Sequence, residues 1–121
     1  MHLKDEIGAA IGAHGMWKTR LRSAIDSGKS EFSPAQIGVD NGCAFGKWIH
    51  SVAEPEVKRS NGYQTCLALH RDFHAIAARV LSLALAGKKA EAERSMAVGG
   101  EYAAASSALT RAMMEWKEKT Q

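Results

Sequence analysis

Residues 66–86 read CLALHRDFHAIAARVLSLALA. Cys66, His70, Phe73, Ala77, Val80 and Ala84 recur at alternating spacings of four and three, the period of one helix face. Leu67, His74 and Leu81 flank that stripe, and Asp72 falls off it. The spacing predicts a helix from about Tyr63, or from Glu56, to Ala86, closed by Gly87. The same stripe contains a contradiction, because two of its core-facing positions are histidines.

Upstream, Leu3, Ile7, Ala10, His14, Trp17, Leu21 and Ala24 repeat the pattern, with Lys4, Lys18, Arg20 and Arg22 off the face. This helix should fade near "DSGKS", where Gly28 suits a C-terminal cap. Residues 28–42 read as a loop, in which "SPAQ" can form a single turn with Ser33 as cap and Pro34 at the first helical position. A short helix is expected from Cys43 to about Val52, capped by Asp40 or Asn41. Pro55 and "RSNGY" interrupt the chain. Downstream, a fourth helix is expected from about Lys89 to Lys117. Its stripe is Val98, Tyr102, Ala105, Leu109, Ala112 and Trp116, with Met96 and Met113 beside it and a kink at Gly99-Gly100. The expectation is an all-α protein: an antiparallel four-helix bundle of three long helices, with a short helix carrying the cysteine.

The 121 residues suit a single domain covering residues 1–121. Hydrophobic residues make up 45% and charged residues 24%, an ordinary globular balance. No run is long enough to span a membrane, and the first residues lack the apolar core of a signal peptide. The net charge of +3 is mild, and basic residues alternate with acids as in "KKAEAER", so no nucleic-acid footprint is present. Two cysteines are too few for a disulfide scaffold, which points to a reducing cytoplasm.

Three histidines, His14, His70 and His74, occupy positions where the period demands apolar side chains. A single one would read as a core residue with a backbone partner. Burying three imidazoles without partners would cost a few kcal/mol each. His70 and His74 lie one turn apart on one face, a spacing at which two imidazoles can grip one ion. Cys43 can be a packed thiol, a nucleophile served by one histidine, or a fourth ligand. At the start of a helix the dipole favours its thiolate. Three neutral imidazoles and one thiolate make a tetrahedral site best suited to zinc.

Three pieces of the sequence then fall into order: "HGMW" at His14–Trp17, "CAFGKW" at Cys43–Trp48 and "HRDFH" at His70–His74. The gaps between them are 25 and 21 residues. In this the chain resembles the CZB domain, the chemoreceptor zinc-binding domain of bacteria. The resemblance implies a four-helix bundle holding zinc through His14, Cys43, His70 and His74. It also implies a cytoplasmic regulatory role, coupled to a chemoreceptor signalling region or a diguanylate cyclase.

Within that frame Gly46 should let the short helix approach its neighbour. Phe45, Trp48, Trp17 and Phe73 should shield the ion. Asp26, Asp40 or a backbone carbonyl should accept a ligand's second imidazole proton. Cys66 reads as a small buried residue with some scope for redox coupling to Cys43, and His2 and His50 as surface residues. Four protein ligands leave no position for activated water, so the chain is not expected to be an enzyme. Zinc occupancy, or oxidation of the thiolate, could be relayed to an output domain or partner signalling protein. The alternatives are a zinc-stapled dimerisation module without sensing, and a zinc enzyme. Small residues on the last helix, ending in Met113, Met114 and Trp116, lead us to expect a homodimer.

Overall fold

In the computed structural model, which describes residues 3–39 and 43–119, seven helices follow one another and no strand occurs among those residues. They are α1 (Leu3–Ser27), α2 (Pro34–Ile37), α3 (Ala44–Ser51), α4 (Pro55–Lys58), α5 (Asn61–Leu85), α6 (Lys89–Met96) and α7 (Glu101–Lys119). None of the described helices is long and apolar enough to cross a membrane. The expected positions of His2, Asp40 and Asn41 lie outside the described residues.

The stripe on α5 is its buried face, from Cys66 through His70, Phe73, Ala77 and Val80 to Ala84, joined by His74 and Leu81. On α1 the described stripe positions Ile7, Ala10, His14, Trp17, Leu21 and Ala24 are likewise buried. These faces meet each other and α7, whose Tyr102, Leu109, Met113 and Trp116 complete the core. Full burial of a Phe, Val or Leu side chain stabilises by about 1.5–3 kcal/mol. The apolar members of the stripe therefore set the scale against which the buried histidines must be judged.

The capping signals act as the sequence indicated around the 28–39 loop. α1 runs out into Gly28, whose φ is 73°, and the Gly28 amide donates to Ala24 O at 2.7 Å. Ser33 and Gln36 form a reciprocal capping box on α2: the Gln36 amide donates to Ser33 Oγ at 3.1 Å, and the Ser33 amide to Gln36 Oε1 at 2.8 Å. A four-residue helix has little stability of its own, so this cap and the burial of Ile37 against α5 hold it in place.

The expected fourth helix is instead two. α6 stops at Met96, and α7 begins at Glu101. Gly99 has a φ of 85°, a left-handed conformation that side chains resist, and a Cβ on Gly100 would collide with the carbonyls of Arg94 and Ser95. The glycine pair is thus a break with a tight backbone crossing, where a kink was expected. It throws Val98 off the core entirely, at 104% exposure, and Met96 takes the buried place. The Tyr102 amide donates to Ser95 Oγ at 3.1 Å, stitching the start of α7 to the end of α6. Of the three apolar residues at the end of α7, not all of which the bundle was expected to bury, Trp116 on the stripe and Met113 beside it are buried and Met114 is exposed.

Candidate metal centre

Three helices deliver four side chains to one point. His14 comes from the middle of α1, His70 and His74 from successive turns of α5, and Cys43 from the start of α3. The three histidines are 5%, 0% and 2% exposed, whereas Cys43 is half-buried. Their Nε2 atoms form a triangle, with edges of 3.0 Å for His14–His70, 3.1 Å for His70–His74 and 3.3 Å for His14–His74. Cys43 Sγ caps it at 3.3 Å from His70, 3.6 Å from His74 and 3.8 Å from His14.

The tautomers make this convergence informative. His14 Nδ1 donates to Ala10 O at 2.8 Å, and His74 Nδ1 donates to Ile37 O at 2.9 Å. A neutral imidazole carries one proton, so the Nε2 atoms of both rings present lone pairs. Burial favours the neutral rings of His14 and His70, lowering their pKa values to about 4 and about 3. Lone pairs directed at one another within 3.3 Å repel unless a cation lies between them. A tetrahedral ion with bonds of about 2.05 Å to nitrogen and about 2.3 Å to sulfur sets N···N edges of about 3.3 Å and N···S edges of about 3.6 Å. The three sulfur separations bracket their value and the three nitrogen separations reach up to theirs from slightly below, so the donor set fits a metal ion.

Cys43 differs from its expected place by one position. It is the N-cap of α3, with φ −90° and ψ 164°, and its sulfur accepts a hydrogen bond from the Gly46 amide at 3.3 Å. A cap ahead of it at Asp40 or Asn41 was expected, and the thiol itself fills that role. The amide and the positive end of the helix both favour a thiolate here. Gly46 is buried, and α3 is anchored by Phe45, Ile49 and a hydrogen bond from Tyr63 OH to Ile49 O at 3.1 Å.

Of the four aromatics expected around the centre, two touch it. Phe45 lies edge-on to His14 and His70, at 6.0 and 5.0 Å between ring centres. Phe73 lies edge-on to His14 and His74, at 5.4 and 5.6 Å. Trp48 stands one ring further out, between Phe45 and Trp116. Trp17 packs against Phe32 at 5.2 Å with the Arg20 guanidinium over it. The second imidazole protons go to backbone carbonyls, and Asp26 is exposed. Ala10 is one turn before His14, so that partner follows from helix spacing alone. Ile37 is a long-range partner whose only sequence signal is the capping box that fixes α2. His70 Nδ1 is buried with no hydrogen-bond partner.

The other histidine and cysteine readings divide. His50 is exposed, as expected. Cys66 is fully buried, and burial pushes its thiol pKa up to about 12, with Glu115 adding to the shift. It is therefore a protonated core thiol at neutral pH. Asp72 points outward, with its side chain 55% exposed.

Comparison with known proteins bears on the same segment. The profile of the CZB family, described as the chemoreceptor zinc-binding domain, matches residues 14–81, more than half of the chain and all four converging residues. No curated protein and no solved structure gives a significant match.

Proposed function

Since the chain belongs to the chemoreceptor zinc-binding domain family, we propose that it binds one zinc ion through the Nε2 atoms of His14, His70 and His74 and the Sγ of Cys43. Zinc supplies charge without redox chemistry and accepts a closed mixed nitrogen and sulfur shell. The observation that carries this reading is the near-tetrahedral arrangement of four donors, in which the Nε2 lone pairs of His14 and His74 face each other.

On this reading residues 1–121 form one sensory or regulatory domain of bacterial signalling, working in the cytoplasm. Its three long helices and the α3 arm are arranged as an antiparallel four-helix bundle, and the output lies in a partner protein or an attached signalling domain. A full set of protein ligands leaves no position for a reacting water, which supports a non-catalytic role. Exposed Met114, among the small residues of α7, supports association into a homodimer. Cys43 is the candidate responsive group, because it is the most exposed donor and rides on the shortest of the three contributing helices.

One observation favours a second reading, in which zinc is a permanent staple of a dimerisation module. Three of the four donors are in the core, so the ion would tie α1 to α5 at their most buried point. Elemental analysis and a competitive zinc titration address both. About one zinc per chain is expected, with an affinity within the range over which cellular free zinc varies. Far tighter, non-exchanging zinc selects the staple. Iron in its place, or no metal after zinc is supplied, refutes both.

A further inference from the structure

The metal centre is sealed on one side and open on the other. Phe45 and Phe73, 4% and 0% exposed, cover the histidines from the core, and His70 lies deepest. On the other side a cavity of about 400 Å³ reaches the centre. His14, Cys43 and His74 line it; His70 is not among its lining residues. Its mouth is formed by Met16, Phe32 and Val39, which are 57%, 36% and 50% exposed. These are three of the six large apolar side chains left exposed among the described residues. Two other cavities of similar size, about 450 and 520 Å³, touch none of the four donors.

The geometry points to this groove, between α1 and the 28–39 loop, as the route by which zinc is loaded and removed, with Met16, Phe32 and Val39 setting its width. The inference rests on the zinc reading above and adds the path and its gatekeepers. At about 30 Å³ per water, the cavity holds about a dozen waters, enough for an ion still carrying part of its hydration shell. An ion in the groove meets Cys43 Sγ and the Nε2 atoms of His14 and His74 first, and His70 last. A small chelator reaches the bound ion across the same face, so exchange requires no opening of α1 from α5. The Arg20 guanidinium, 4.8 Å from the Trp17 ring centre and 5.4 Å from that of Phe32, holds the two rings together as one wall of the groove.

Stopped-flow transfer of zinc between the 121-residue chain and a small chromophoric chelator, measured in both directions, tests the route. Met16→Trp and Val39→Trp narrow the mouth at two independent exposed positions. Each should slow loading and release together by roughly tenfold, equivalent to about 1.4 kcal/mol on the barrier, with equilibrium affinity unchanged. Phe32→Ala should speed both. Thr65→Trp, in a cavity remote from the donors, should change neither. Wild-type rates in both narrowed variants, or equal slowing by Thr65→Trp, would overturn the route in favour of exchange through bundle opening. Slower release with unaltered loading would be an affinity change and would also count against it. A wild-type protein that takes up no zinc at equilibrium removes the zinc reading itself, and the route with it.

Discussion

Replacing His70 by leucine should stabilise the metal-free protein and abolish the benefit of zinc. His70 is 0% exposed, its Nδ1 has no hydrogen-bond partner, and its Nε2 faces those of His14 and His74 at 3.0 and 3.1 Å. A buried unsatisfied polar group costs about 1–3 kcal/mol. Leucine removes that unpartnered nitrogen together with the Nε2 contacts to His14 and His74, at a repacking cost of under about 1.5 kcal/mol for a swap of similar volume. The net expectation is a gain of about 1 kcal/mol without metal, a shift in Tm of roughly 4 °C. With zinc the order reverses. A ligand present at about 100 times its Kd stabilises the wild type by about 2.7 kcal/mol, and a centre lacking one imidazole forfeits most of that. Urea denaturation of both proteins, with chelator and then with excess zinc, measures the two differences. A His70→Leu protein less stable than wild type in chelator would refute the reasoning, because it would show that the imidazole supports the apo fold.

Further expectations follow from the same geometry. Cys43→Ala should weaken zinc binding without abolishing it, since the three imidazoles converge independently of the sulfur; affinity equal to wild type by competitive titration would remove Cys43 from the shell. The metal-free protein should lose stability as pH falls from about 6.5 toward 4. His14 and His70 have folded-state pKa values of about 4 and 3, below the usual 6.5, so the unfolded chain binds more protons across that window. Thermal melts in chelator that are flat from pH 7 to 5 would contradict this. Gly62→Ala should destabilise by about 1–3 kcal/mol, because a Cβ there would run into the Trp116 ring; unchanged denaturation would show that Trp116 moves freely.

Much of the centre could be read from the chain because it is written in helical period. The stripes on α1 and α5 name His14, His70 and His74 as inward-facing, and inward-facing polar groups demand a common explanation. The break at Gly99-Gly100 was harder to read. A glycine pair signals weakness, but whether a helix bends or stops depends on how closely the backbone of Arg94 and Ser95 approaches. The cap at Cys43 was missed because Asp and Asn nearby are the stronger cap formers and cysteine is not a usual one. The carbonyl of Ile37 was illegible for a simpler reason: every residue has a carbonyl, and only the fold selects one. Burial of Met113 and Trp116 follows from the same period, since Trp116 lies on the stripe of the last helix and Met113 beside it.

The placement of two donors on one helix has a consequence for how the chain assembles. His70 and His74 are four residues apart, and their Nε2 atoms lie 3.1 Å apart on a single rod. Once α5 has wound, that half of the chelate exists with no loop left to close. Cys43 must come from 27 residues away from His70, and His14 from 56. For flexible segments such a doubling of span adds only about 0.6 kcal/mol of closure entropy. A nascent α5 that captures an ion would therefore act as a seed, recruiting the thiolate by the shorter loop and the α1 imidazole by the longer one. The cation would then serve as a folding nucleus, and adding zinc at the start of refolding, compared with adding it at the end, would reveal that order as a faster rate.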